Sequence, residues 1–208
     1  MADDPLRMYL VVRRGAVDSI ARGGELAGAA AVRCVREFGD DPALREWRPR
    51  PGKVTLRARG GQWGRVLEEP HAVGGDGVIA LPPRRRSERG QLLEQMQAMT
   101  SALEPAPVED DPSPSPGVVT YVLNPRLEMS SGKTLAQVAH AAVMAADSGS
   151  LEGWVAAGCP ARVVVGGAER FRTLCEDEAA AGLAARVVDA GLTEVAPGTV
   201  TVLALPPA

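Results

Sequence analysis

The stretch Val118-Val-Thr-Tyr-Val-Leu-Asn-Pro-Arg-Leu-Glu-Met-Ser-Ser-Gly-Lys-Thr-Leu-Ala-Gln-Val-Ala-His140 decides the fold class. Its first six residues form a short apolar run suited to a buried strand. Ser130 or Ser131 then caps a helix, and Ala136, Ala139, Val143 and Ala146 continue along one face of it. Working outward, Arg162-Val-Val-Val reads as a second strand ended by Gly166-Gly167. The next segment reads as a helix with Phe171, Leu174 and Cys175 inward and Glu176 to Glu178 outward. Ala185-Arg-Val-Val-Asp is a third strand and Thr199-Val-Thr-Val-Leu-Ala-Leu a fourth. Strands alternating with helices predict an α/β layered domain.

The same order recurs earlier in the chain. Met8-Tyr-Leu-Val-Val-Arg corresponds to Thr120-Tyr-Val-Leu-Asn-Pro, and Gly24-Glu-Leu-Ala-Gly-Ala-Ala-Ala-Val aligns without a gap on Gly132 through His140. Trp47 falls near Trp154, and Lys53-Val-Thr-Leu on Ala161-Arg-Val-Val-Val. Gly77-Val-Ile-Ala-Leu-Pro-Pro matches Thr201-Val-Leu-Ala-Leu-Pro-Pro. The first copy lacks most of the stretch from Arg186 to Thr199. Between the copies, residues 84–103 place Leu92, Leu93, Met96, Met99 and Leu103 at helical spacing. Residues 104–117 are acidic and Pro/Ser-rich, which predicts an extended or disordered linker. The expected organisation is therefore a first unit at 7–83, a helical then Pro/acidic linker at 84–117, and a second unit at 118–208.

Composition narrows the class. Of 208 residues, 45% are apolar and only 3% aromatic, so the core must be built mainly from Val, Leu and Ala. No apolar run approaches the roughly 20 residues of a membrane span. The first residues show no secretory signal, and a cytoplasmic location is expected. Cys34, Cys159 and Cys175 are too few and scattered for a disulfide framework or zinc site and read as small buried thiols. The net charge of −3 divides unevenly: +5 over residues 1–90, −5 over 91–117 and −3 over 118–208. A basic half on an acidic chain is a candidate polyanion surface.

Three places in the second unit hold polar residues that an apolar core does not require. In the first, Lys133, Gln137 and His140 share a helix face. Lys133 stands at the positive end of the helix dipole, where free amides suit an anion. Lys53 and Lys133 are the only lysines beside 21 arginines, so a compact ammonium at a helix start is notable. Gly132-Lys-Thr is not a phosphate loop, because Leu127 stands where that motif needs a glycine. The second place is Asp189, at the C-terminal end of a strand, where open α/β sheets put ligands. The third is the loop from Thr193 to Thr199, with hydroxyls and free amides.

Met129-Ser-Ser-Gly-Lys, Ala136-Gln-Val-Ala-His-Ala, Asp189-Ala-Gly and Ala196-Pro-Gly-Thr-Val-Thr-Val-Leu, in that order, resemble the archaeal-type peptidyl-tRNA hydrolases. That family is the second of two unrelated hydrolases of that name, and the resemblance covers residues 118–207. It implies a mixed-sheet α/β domain, usually paired as a homodimer. The implied activity is metal- and cofactor-free cleavage of the ester joining a peptide to the 3′ ribose of tRNA, which recycles tRNA. Lys133, Gln137, His140, Asp189 and Thr199 fall on positions lining that family's site, and Ser131, Gly132, Thr193, Pro197 and Gly198 on its substrate-binding surround. The family typically reads Asp-Ala-Gly-Arg-Thr-Gln where this chain has Asp189-Ala-Gly-Leu-Thr-Glu, so Leu192 removes a cation and Glu194 adds an acid.

In the ungapped alignment Glu25 stands for Lys133, Ala29 for Gln137 and Val32 for His140, so the first copy cannot do the same chemistry. The expectation is two related α/β units with mixed sheets fused as a pseudo-dimer, the first inactive. Its basic residues, Arg48, Arg50, Arg84, Arg85 and Arg86 foremost, are the candidate tRNA surface. The competing expectation is a non-catalytic tRNA-binding or regulatory protein that keeps the fold.

Overall fold

The computed structural model describes residues 4–100, 102–177, 182–191 and 193–208. Glu178 and Leu192, singled out above, lie outside them. The first unit runs β1 (Arg7–Arg13), α1 (Ile20–Glu37), α2 (Pro42–Trp47), β2 (Gly52–Ala58), α3 (Gly61–Val66), β3 (Ala72–Gly75) and β4 (Val78–Arg84). Then come α4 (Gly90–Glu94), β5 (Gln97–Ala98) and β6 (Val108–Glu109). The second unit is β7 (Val119–Leu123), α5 (Ser131–Asp147), α6 (Glu152–Ala156), β8 (Ala161–Gly166), α7 (Ala168–Glu176), β9 (Ala185–Asp189) and β10 (Thr199–Leu205).

Two five-stranded mixed sheets result, in the orders β3-β4-β1-β2-β5 and β9-β10-β7-β8-β6. In each sheet the first strand of the unit pairs in parallel with the second and antiparallel with the last. Helices α1 and α5 lie side by side between the sheets, each packing on its own sheet and reaching across to the other: α1 to β8, and α5 to β2. One continuous apolar core fills this middle layer, with Met8, Leu10 and Ala30 from one side and Tyr121, Leu135 and Val138 from the other. Smaller clusters cover the outer faces, Tyr9, Val11 and Leu56 under α3 and α4, and Val122, Val164 and Leu203 under α7.

Strand pairing aligns the two units residue by residue. Leu10 pairs with Thr55 and Ala80, while Tyr121 pairs with Val163 and Ala204. Leu10 and Tyr121 are therefore equivalent, as are Thr55 and Val163, and the two Leu-Pro-Pro endings fall in the same register. The expected match of Tyr9 with Tyr121 is one residue out, since Tyr9 faces the outer cluster and Tyr121 the middle layer. A one-residue slip reverses the face of every side chain in a strand. The tryptophans do the same job in both units: Trp47 Nε1 donates to Gly52 O and Trp154 Nε1 to Pro160 O, each at 2.7 Å.

Helix starts correct the alignment again. Ser19 caps α1 by accepting from Arg22 N, and Ser130 caps α5 by accepting from Lys133 N. Matching the caps puts Arg22 opposite Lys133, Leu26 opposite Gln137 and Ala29 opposite His140. The ungapped alignment had slid by three residues, nearly one turn, which preserves the buried face and so leaves no trace in the apolar pattern.

Between the units, the long helix expected over residues 84–103 shrinks to α4, preceded by a 3₁₀ turn at Arg86–Glu88. Leu92, Leu93 and Met96 bury on the outer face of the first sheet, whereas Met99 buries in the middle layer. One helix cannot serve both faces, so the chain passes around the sheet edge as β5. The acidic segment contributes β6, which pairs in parallel with β8, and it buries Ala106 in the middle layer. Glu109 and Asp111 form ion pairs with Arg162 and Arg170 of the second unit. Among the described residues no helix is long and apolar enough to cross a membrane.

Candidate active site

The first turn of α5 faces the ends of β9 and β10. Lys133 and Gln137, one turn apart on α5, both reach Asp189, the last residue of β9. Lys133 Nζ and Gln137 Nε2 donate to the same oxygen, Asp189 Oδ2, the latter at 2.7 Å. The Gly191 amide donates to Oδ1 at 2.7 Å. Burial pushes against the charge on Asp189, but the Lys133 ammonium, the Gly191 amide and Gln137 outweigh it, and the carboxyl is held below its ordinary value. The pair is sequestered, with the side chains of Lys133 and Asp189 only 14% and 7% exposed.

Thr201 completes the network, and sequence reasoning passed it over for Thr199. A β-bulge sets Val200 against Val188 and Val202 against Val187, leaving Thr201 as the extra residue. Its hydroxyl turns inward and donates to Gln137 Oε1 at 2.7 Å. Thr199 instead donates to Ala196 O at 2.6 Å, closing the turn before β10. The two threonines share one face by alternation, so only the bulge distinguishes them.

Other expected site residues go elsewhere. His140 is two turns along α5, about 10 Å of helix rise from Lys133. Its Nδ1 meets Lys53 Nζ of β2 at 2.9 Å. The ammonium of Lys53 sits 4.6 Å from the Trp47 ring centre. Burial pushes Lys53 down to about 7 and His140 well below the imidazole range. His140 thus joins the units rather than the Lys133–Asp189 pair. Ser131 Oγ accepts from Leu103 N, and Gly132 is covered by Met99, whose carbonyl would lie 2.3 Å from an added Cβ. These two residues are buried beneath residues 99–103 instead of opening to a substrate.

The expected anion seat at the start of α5 is filled from within. Glu194 accepts from both Ser130 N and Ser130 Oγ at 2.7 Å. Gly132 N donates to Met99 O, and Lys133 N to Ser130 Oγ. A carboxylate, a carbonyl and a hydroxyl thereby satisfy amides that a helix start otherwise leaves free. Thr193, Pro197 and Gly198 form an exposed loop folded back on the Asp189-Ala-Gly turn, with Gly198 N donating to Asp189 O. A cavity of about 370 Å³ lies between residues 100–106 and 123–131; its walls include Leu103, Leu127 and Met129 but none of Lys133, Gln137 and Asp189.

The arginine cluster is remote from this network. Arg48 pairs with Asp147 at the opposite end of α5, about 21 Å of helix rise from Lys133. Arg85 pairs with Glu46 and Arg84 with Glu69, while Arg50 and Arg86 are exposed. Among the described residues no three His, Cys, Asp or Glu side chains are placed to hold a metal ion.

Lys133, Gln137 and Asp189 all lie in the segment that spans β7 to β10. Residues 118–208 match the family model described as peptidyl-tRNA hydrolase PTH2. From β7 to its end the chain is thus similar to PTH2. No solved structure matches the chain.

All four network residues lie inside this segment, and the first unit lacks their equivalents. Arg22, opposite Lys133, is tied to Glu25 at 3.1 Å. Leu26 replaces Gln137, and β3 and β4 are joined by a tight turn at Asp76-Gly77 where the second unit has its Asp189 to Thr199 loop. That hairpin presses onto α1: a Cβ on Gly74 would stand 2.0 Å from Leu26 O.

Proposed function

We propose that the second unit hydrolyses the ester between an N-substituted aminoacyl or peptidyl group and tRNA, recycling tRNA in the cytoplasm. Similarity to a hydrolase family supports the reaction class, and one observation carries its assignment to this site. The Lys133–Asp189–Gln137–Thr201 network fixes a largely buried ammonium on a carboxylate, and among the described residues the other two N–H groups of that ammonium take no hydrogen bond.

In the proposed reaction a water oxygen attacks the ester carbonyl carbon and the bond to the ribose 3′ oxygen breaks. The proton from water ends on that leaving oxygen. Negative charge gathers on the carbonyl oxygen, and Lys133 stabilises it at no cost of reorganisation because Asp189 already fixes its direction. With its pKa held low, Asp189 is a weak base. Its proposed role is therefore to orient Lys133 and to receive a hydrogen bond from the attacking water. Gln137, pinned by Thr201, keeps the carboxylate in place.

The first unit is proposed as a degenerate copy of the same fold, retained in one chain as the partner half of a pseudo-dimer. A second reading, a tRNA-binding or regulatory protein without turnover, draws on the Glu194 carboxylate seated on Ser130, beside the entrance and repellent to phosphate. Release of peptide from N-acetyl-aminoacyl-tRNA by wild type and Lys133→Ala separates the two. Turnover lost in the variant supports the hydrolase; wild type that binds tRNA without turnover supports the second reading.

A further inference from the structure

The first unit has lost its own polar set, yet one polar side chain of its sheet remains buried. Seven polar or charged side chains are buried among the described residues, and six of them lie in the second unit. The seventh is Thr55 of β2, 4% exposed. The fold does not require a hydroxyl there, since its equivalent in the second sheet is Val163.

Thr55 points at the start of α5. Its Oγ1 donates to Gly132 O at 2.8 Å. Gly132 N donates to Met99 O at 3.0 Å, and Met99 N donates to Thr55 O at 2.9 Å. These three bonds close a ring through residues from outside and inside the second unit. Both peptide groups of Gly132 are thereby fixed, and Gly132 immediately precedes Lys133. Two residues back along β2, on the same face, Lys53 holds His140. The two attachments lie about 12 Å apart along α5 and bracket Lys133 and Gln137 between them.

We propose that Thr55 is a positioning residue for the reaction, and that the first unit sets the direction of Lys133 toward Asp189 by gripping Gly132 through Thr55 and Met99. The kinetic part of this inference rests on the hydrolase reading; the geometric part does not. A shift well under the size of an atom in a charged group at a reacting centre is enough to lower the rate, because its stabilisation depends on being in place beforehand.

The test compares full-length wild type, Thr55→Val and Thr55→Ser. Valine is the residue that the second sheet carries at the equivalent position, so the backbone accommodates it. Three quantities are read: kcat and KM for release of N-acetyl-amino acid from tRNA, titration of the Asp189 carboxyl by carbon NMR, and the thermal midpoint. Thr55→Val is expected to lower kcat about tenfold with KM within twofold. It should also move the Asp189 titration up toward its ordinary 3.8. Thr55→Ser should restore both. A folded Thr55→Val with unchanged kcat and unchanged Asp189 titration overturns the proposal. So does a Thr55→Val that fails to fold, since Thr55 would then serve stability. A wild type without turnover defeats the hydrolase reading alone, and the Asp189 titration still decides whether Thr55 positions Lys133.

Discussion

Thr201 Oγ1 donates to Gln137 Oε1 at 2.7 Å, and this bond decides which way the Gln137 amide points. An ionised Asp189 offers only acceptors, so the amide nitrogen must face it and the amide oxygen must face Thr201. Replacing Thr201 with valine leaves that oxygen buried without a donor. A loss of about 1–3 kcal/mol in stability is expected, read as a lower urea midpoint. Turnover should fall as well, because Gln137 no longer holds the carboxylate under Lys133. Thr201→Ser should recover most of both, whereas Thr199→Val, which breaks only a turn, should keep the turnover of the wild type.

Lys53 and His140 give the chain a pH-dependent seam. Lys53 is pushed down to about 7 by burial, while in the unfolded chain it keeps its ordinary 10.5. Between these values the unfolded chain binds more protons than the folded one, so stability rises with pH across the window. His140 is also held below its ordinary 6.5, which removes stability as pH falls through that value. Of the other charged groups near the pair, Asp147 favours a charged Lys53, and Lys133 opposes a charged His140. Lys53→Met should flatten the rise in urea midpoint between pH 7 and 10 by about one proton's worth. Parallel curves for variant and wild type would show that Lys53 is not the source.

Glu194 sets its carboxylate on Ser130 at the start of α5, the side on which the proposed reaction would bring a tRNA phosphate. Glu194→Gln keeps a hydrogen bond to Ser130 and removes the charge. Tighter tRNA binding is expected, by about fivefold at low salt, shrinking as salt screens the removed repulsion. Filter binding at two salt concentrations checks it, and equal affinity of the two proteins at low salt would count against any phosphate passing near this residue.

Of the five arginines proposed as a tRNA surface, Arg48, Arg84 and Arg85 form ion pairs among the described residues, and Arg50 and Arg86 form none there. Arg48, Arg84 and Arg85 already neutralise carboxylates, so releasing them for phosphate would strand Asp147, Glu69 and Glu46. Arg50 and Arg86 are exposed. If tRNA lies along this face, reversing Arg50 and Arg86 to glutamate should weaken binding. It should also lower the slope of log K against log salt by about 2, roughly 0.9 for each phosphate lost. Arg48→Ala should change the slope little.

Much of the fold was legible because apolar period and turn residues are local signals. The strands β7 to β10, the Ser130 cap and the Leu-Pro-Pro endings all followed from them. The linker helix did not, because Leu93 and Met99 bury on opposite faces of one sheet, and spacing alone cannot say so. The alignment of the units erred by one residue in a strand and three in a helix. The strand error reverses a face that neither neighbour reveals, and the helix error preserves one.

By itself the sequence determined the α/β order of both units and the presence of Lys133 in the first turn of its helix, Gln137 one turn on, and Asp189 at the end of its strand. Those facts depend on residues within a turn or a strand of one another. Tertiary structure alone decided the rest. It drew Thr201 rather than Thr199 into the network through a bulge, sent His140 to Lys53, and filled the start of α5 with Glu194 and Met99. It also brought Thr55 to Gly132, 77 residues away in the chain. A hydrogen bond needs its partners within about 3 Å in space and is indifferent to their separation in sequence.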